Sequence, residues 1–222
     1  MAATNSILIP VKRLEESKGR LAATLTPAQR RELGLAMLAD VLAASSGWTP
    51  LVVTSDPAAA GEAREAGCEV LSDPGDGLNP AVLSGLTLLN NRGAGKVVVL
   101  PCDVPLAESA EIRELFDLDG VAVAPSGDGG TNCLLLSPPG IISPAFGPGS
   151  AHAHKVAALE AGASFTWFYS DGFDLDVDSW ADLERLAGAP AQCRSRAVAA
   201  ALISEGRRPA NPGKAAEAPS PW

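Results

Sequence analysis

The most constraining feature of this sequence is the stretch KVVVLPCD, residues 96–103. Four apolar residues follow one another with no polar alternation, and a proline closes the run. Such a run suits a strand covered on both faces, and strands of that kind belong to parallel sheets clad by helices. The surrounding pattern repeats the theme. SILIPV (6–11), LVVTS (51–55) and CEVL (68–71) read as further strands. GVAVAPS and TNCLLLSP flank a glycine turn as two more strands, and SFTWFYS as another. Between them, helices are predicted over TPAQRRELGLAMLADVLAA, DPAAAGEAREAG, NPAVLSGLTLLNN, AEIRELFD, SAHAHKVAALEAG and SWADLERLA. Thr26, Pro27 and Gln29 supply a capping box with proline in the first turn. Strands alternating with helices predict an α/β fold with a mostly parallel sheet, the paired strands near 121–136 leaving an antiparallel part. We expect one domain over 1–188 and, from the Ala/Pro/Gly/Ser composition, a flexible tail over 189–222.

In such sheets ligands bind beyond the carboxyl ends of the strands, so the residues that follow strands are the candidates. After the first strand come Lys12, Arg13, Lys18 and Arg20. They form either a solvated loop or a cationic rim for phosphates. No GxxxxGK[ST] and no GxGxxG is present. Asp103 closes the central strand, as a ligand for a hard cation or as a turn cap. In FDLDVDSWADL, Asp174, Asp176 and Asp178 share one face of an extended segment. Asp176 and Asp178 fit a Mg²⁺ site with Asp103, or Asp178 caps the helix that follows. In SDPGDGLNPA, Gly75 and Gly77 free the backbone, Leu78 anchors the loop and Asn79 offers a donor and an acceptor. In FGPGSAHAHK, Gly147 and Gly149 permit close approach, and Ser150 opens a helix whose free amides suit an anion. His152 and His154 do not share a helix face, which argues against zinc.

Acidic residues exceed basic ones by nine (26 against 17), which disfavours nucleic acid and anionic membranes as partners. The four cysteines form no CxxC and suit a reducing compartment, and no long apolar segment or signal-peptide order is read. A cytoplasmic protein is predicted.

Taken together, IPVKRLEESKGRLA, SDPGDGLNPA, VLPCDVPL, APSGDGGTNCLLLSPP, FGPGSAHAHK and LDVDSWADL resemble the 2-phospho-L-lactate/phosphoenolpyruvate guanylyltransferases of coenzyme F420 biosynthesis, the CofC/FbiD type. The resemblance spans about residues 6–187 in the family's order. Ser137 stands where members often carry arginine, and the residues ahead of His154 lack the usual aromatic or basic character. The resemblance implies a Rossmann-like three-layer nucleotidyltransferase of the nucleotide-diphospho-sugar transferase type. It implies Mg²⁺-dependent transfer of GMP from GTP to phosphoenolpyruvate or 2-phospho-L-lactate, with 3-phosphoglycerate as an alternative acceptor. It implies metal carboxylates at Asp103, Asp176 and Asp178, and nucleotide contacts at Pro10, Lys12, Lys18, Leu78 and Asn79. It implies acceptor contacts at Thr131, Gly147 and Ser150. Lys12, Lys18 and Arg20 would then stabilise charge during transfer. Nucleotidyl transfer to a sugar or molybdopterin, glycosyl transfer and non-catalytic nucleotide binding remain the competing readings. A homodimer and a transient contact with the downstream F420 transferase stay open.

Overall fold

The computed structural model describes residues 4–15 and 18–205. Seven strands form one sheet: β1 (Thr4–Val11), β2 (Leu51–Thr54), β3 (Glu69–Ser72), β4 (Ala94–Val99), β5 (Gly120–Pro125), β6 (Thr131–Ser137) and β7 (Phe165–Trp167), in the order β3-β2-β1-β4-β6-β5-β7. β1 runs parallel to β2 and β4, β2 to β3, and β5 to β7. β6 alone is reversed, antiparallel to both β4 and β5. The expected mixed, mostly parallel sheet is therefore present.

Burial on both sheet faces explains the unbroken apolar runs. Ile7, Ile9, Val98, Ala122 and Leu135 join one core with α1 (Pro27–Ala44), α2 (Pro57–Glu65) and α4 (Ser109–Phe116). Leu8, Val97, Val99, Val121 and Leu134 point the other way, into a core with α3 (Leu78–Asn91) and α5 (Ser150–Glu160). α3 lies so close to β1 that a Cβ on Gly85 would collide with the buried Leu8 side chain and press on Val53, so a larger residue there would force the core to shift. The predicted Thr26–Gln29 capping box is formed at the start of α1.

Two expectations need correction. The central strand was expected over 96–103 but ends at Val99. Pro101 has no N–H to continue the ladder, so the chain turns there. The tail was expected from residue 189, yet Arg194–Glu205 forms α7, packed on α1 and on α6 (Trp180–Gly188). Ala199 and Leu202 are buried in a third core with Leu33, Met37, Leu183 and Leu186. Asp40 of α1 accepts from the backbone amides of Arg194 and Ser195, both at 2.8 Å, and so caps the helix. A carboxylate so distant in sequence leaves no local signal, and the Ala-rich segment carries few large apolar residues. The rest of the expected tail, 206–222, lies outside the described residues.

Candidate active site

The order β3-β2-β1-β4 places the sheet's reversal of winding between β1 and β4, where α/β sheets open a crevice. A cleft of about 590 Å³ lies there. Pro10 and Lys12 line it from the end of β1, Lys18 and Arg20 from the following loop, Leu78 from the start of α3, and Asp103 and Asp178 from opposite it. The residues expected at a nucleotide thus meet in one place, apart from Asn79.

Lys18 is the centre of this crevice. Its Nζ donates to Asp103 Oδ2 and Asp178 Oδ1, each at 2.8 Å. Its backbone is left-handed, with φ 59°, a conformation unfavourable for any residue with a Cβ. Burial alone would lower its pKa, but Asp103 and then Asp178 more than offset this and hold the ammonium above the ordinary lysine value. Burial would likewise raise Asp103, but Lys18 and, more weakly, Lys12 hold it below the ordinary carboxylate value. Cys102, next door, is pushed up to about 12 by burial and by Asp103, so it remains a thiol and offers no nucleophile at neutral pH.

The carboxylates converge because Val177 N–H donates to the Asp103 carbonyl at 3.0 Å, laying the 174–178 segment beside the Asp103 turn. Leu175 and Val177 point into the core, which leaves Asp176 and Asp178 on the other side of the segment, Asp178 lining the crevice and Asp176 facing Asn132. Ser179, with Asp182, caps α6, so Asp178 is released from that role. Asp174 pairs instead with Arg185 at 2.8 Å. Asp176 is raised by burial, then by the charges of Asp103 and Asp178.

The expected metal group is nevertheless not assembled as such. Among the described residues, no three Asp, Glu, His or Cys side chains are arranged to hold a metal ion. The Lys18 ammonium stands between two of the three expected ligands. Still, Asp103, Asp176 and Asp178 stand near enough to perturb one another's charge, and carboxylate oxygens are the hard donors that suit Mg²⁺.

A second cluster lies beside the crevice. β6 is reversed, so its first residues, Thr131 and Asn132, sit at the same sheet edge as the ends of β1 and β4. Thr131 Oγ1 lies 2.9 Å from Ser150 Oγ and 3.1 Å from His154 Nδ1. All three residues are buried. Gly129 and Gly149 adopt φ of 85° and 70°, and Gly147 φ of 138°, as their loops require. The amides of Ser150 and Ala151 are already bonded to the carbonyls of Gly147 and Gly129, at 3.1 and 3.2 Å. The helix start is therefore less free for an anion than its sequence suggests. Asn79 also differs from expectation. Its amide donates to the Phe146 carbonyl at 3.0 Å and accepts from the Phe146 amide at 2.7 Å, so it clamps the glycine loop.

Three residues were missed. Asn132 donates to the Phe173 carbonyl at 2.8 Å and reaches Asp176 at 3.4 Å, joining the two clusters. Asp56 accepts from Leu14 N–H at 3.0 Å and so anchors the cationic loop. Its Asp-Pro position ahead of a helix was a legible cap signal, but its reach back to Leu14 was not. His154, rejected as a zinc ligand, is fully buried at the second cluster.

The sheet, its crevice and the acidic–basic constellation define the α/β nucleotidyltransferase class. A solved Desulfovibrio desulfuricans protein, provisionally named a nucleotide-diphospho-sugar transferase, superposes with TM-score 0.73 at 16% identity over 91% of this chain and 98% of its own. A Leptospira borgpetersenii cytidylyltransferase superposes with TM-score 0.58 at 14% identity over 91% of this chain and 93% of its own. At such identities the likeness concerns the fold. Sequence comparison is more specific. The family described as "Guanylyl transferase CofC like" matches residues 5–193. The phosphoenolpyruvate guanylyltransferase of Rubrobacter xylanophilus is 41% identical, covering 81% of this chain and 91% of that protein. The protein of the same name from Sphaerobacter thermophilus is 37% identical, over 83% and 93%. The chain belongs to the CofC-like guanylyl transferase family.

Proposed function

We propose that this protein transfers GMP from GTP to phosphoenolpyruvate, releasing pyrophosphate, as a cytoplasmic step of coenzyme F420 biosynthesis. The product then serves the transferase that joins it to the deazaflavin. One observation carries the reading: a lysine–carboxylate crevice sized for a nucleotide adjoins a buried hydroxyl cluster, and Asn132 links the two. The names of the relatives support guanylyl transfer and this acceptor.

The acceptor's phosphate oxygen is anionic at neutral pH, so no side-chain base is needed. That oxygen forms a bond to the α-phosphorus of GTP while the bond to the bridging oxygen breaks, and pyrophosphate leaves. Lys12 and Arg20 present charge to the triphosphate. Two of the three N–H groups of Lys18 are engaged by Asp103 and Asp178, and the third is open to a phosphate oxygen. Thr131, Ser150 and the Gly147 backbone hold the acceptor's carboxylate or phosphate. Asp103, Asp178 and Asp176 would hold Mg²⁺, with the Lys18 ammonium giving way. When bound, the ion draws charge off the phosphates.

Incubating the protein with Mg²⁺, one of GTP, ATP or CTP, and one of phosphoenolpyruvate, 2-phospho-L-lactate or 3-phosphoglycerate tests this directly. Mass spectrometry should find the guanosine diphospho-linked enolpyruvate, with pyrophosphate in equal amount. Equal or better use of ATP or CTP would overturn the nucleotide assignment. A preference for 3-phosphoglycerate would overturn the acceptor.

A further inference from the structure

We infer that His154 is a positioning residue: its neutral imidazole donates from Nδ1 to Thr131 Oγ1 and thereby leaves one hydroxyl hydrogen of the Thr131–Ser150 pair free for the anionic acceptor. The inference rests on the proposed function only in taking that pair as the acceptor site.

The tautomer follows from the backbone. Ala145 N–H lies 2.9 Å from His154 Nε2. An amide N–H can only donate, so Nε2 carries the lone pair and the neutral ring carries its proton on Nδ1. Thr131 Oγ1, 3.1 Å away, must then accept. The remaining count is short. Thr131 and Ser150 own two hydroxyl hydrogens. One lies in the 2.9 Å bond between them, whichever oxygen donates it. The other is not taken by the ring. Among the described residues these oxygens have no further hydrogen-bond partner, so that hydrogen is available to a ligand. The opposite tautomer would reverse the outcome. Nδ1 would draw the hydrogen of Thr131, Thr131 would draw that of Ser150, and the pair would meet an anion with lone pairs only.

The surroundings hold this arrangement. His154 is fully buried, and burial lowers its pKa to about 4, so the ring stays neutral in the working range. The Phe146 ring packs edge-on against it at 5.3 Å, and the Asn79 clamp fixes the backbone next to Ala145. Thr131 retains 8% exposure and His154 none, so the side of the relay nearer to solvent is the hydroxyl pair and not the ring. The order Ala145 N–H, imidazole and Thr131 is thus a relay directed from a backbone amide toward the hydroxyl pair. It explains why a histidine, and not merely an apolar ring, sits on this face of α5.

Two measurements test it. The chain has two histidines, so a long-range ¹H–¹⁵N spectrum of the wild-type protein, assigned with a His152→Gln variant, reads the tautomer of His154 without disturbing it. A proton on Nδ1 is expected, and a proton on Nε2 overturns the relay. In kinetics, His154→Asn keeps a donor near the Nδ1 position, whereas His154→Gln keeps an acceptor near the Nε2 position. His154→Gln should raise the acceptor KM roughly tenfold, with the GTP dissociation constant unchanged, and His154→Asn should raise it much less. On a Thr131→Val background, His154→Gln should add nothing, because it acts through Thr131. Equal damage by both variants, or additive losses in the double variant, overturns the inference. A wild-type protein that turns over no acceptor overturns the functional reading and the inference with it. A wild-type protein that turns over acceptor beside a His154→Gln variant of normal KM overturns the inference alone.

Discussion

Lys18 makes two ion pairs at a backbone conformation that resists a side chain, and the two effects can be separated. The Lys18 side chain is 6% exposed, while those of Asp103 and Asp178 are 31% and 41% exposed. A buried hydrogen bond to a charged group contributes about 1.5–3 kcal/mol, and partial exposure of both carboxylates reduces this to about 1 kcal/mol each. Lys18→Ala should therefore cost about 2 kcal/mol, and more at low salt, where the uncompensated carboxylates repel one another. Lys18→Gly loses the same pairs but removes a left-handed penalty of about 1 kcal/mol. For a chain of this size, each kcal/mol moves Tm by roughly 2–4 °C. The Ala variant should melt about 4–8 °C below wild type, and the Gly variant should recover part of that loss. Thermal melts in EDTA read both values. The same melts with Mg²⁺ should show a larger rise for either variant than for wild type, because the ammonium no longer competes for the carboxylates. An Ala variant that melts with wild type would refute the ion-pair account. A Gly variant no more stable than Ala would refute the strain account, and equal Mg²⁺ shifts in all three proteins would refute the competition.

Three further outcomes are expected. His154 titrates near pH 4 in the folded protein against 6.5 ordinarily, so the unfolded chain takes up its proton first as pH falls. Its contribution to stability should drop by about 3 kcal/mol between pH 6.5 and 4 and then level off. Urea midpoints of wild type and His154→Asn across that range should differ in slope, and parallel curves would refute the depressed pKa. Asp103→Asn should fold and bind GTP but lose about a hundredfold in turnover, and a near-normal rate would remove Asp103 from the chemistry. Leu202→Ala, at a position only 3% exposed, should cost about 2–4 kcal/mol in a urea titration, and a loss under about 0.5 kcal/mol would refute the docking of α7.

What was legible in the sequence depended on how local the determining interaction is. The run at Val97–Leu100 announced a doubly covered strand because its burial is a property of consecutive residues. The alternation of Asp176 and Asp178 with Leu175 and Val177 was legible for the same reason. The Thr26 capping box is contained within four residues, and it formed as read. Asn79 was placed at the right loop, yet its amide is satisfied by the backbone of Phe146, far along the chain. The function of Asp40 in starting α7 depends on a similarly distant partner, as does the bridging of Lys18 to Asp178. No pattern of spacing can show which of several charged residues will meet across a sheet. The resemblance to a family named Lys18, Asn79, Asp103 and Asp178 as one site, but it did not contain the ammonium between the carboxylates.

The reversal of β6 is what makes a two-substrate reading physically coherent. A parallel strand in that place would carry Thr131 to the far edge of the sheet, opposite the ends of β1 and β4. Because β6 runs backward, its opening residues enter at the edge where the crevice lies, and Thr131 pairs with Pro125 at the end of β5. The next residue, Asn132, then reaches the Phe173 carbonyl and Asp176. Two adjacent residues therefore serve different clusters: one hydroxyl belongs to the buried pair with Ser150, and one amide steadies the acidic segment of the crevice. Strand geometry sends their side chains to opposite faces, so a single short backbone segment sets the spacing of the two clusters. A phosphate held at one cluster and a triphosphate held at the other must meet along a line fixed by that segment. In-line displacement demands such a fixed approach, and a base is unnecessary when the attacking oxygen already carries charge. Under the proposed function the chemistry depends on placement and charge, the two properties that the sheet edge and Lys18 would supply.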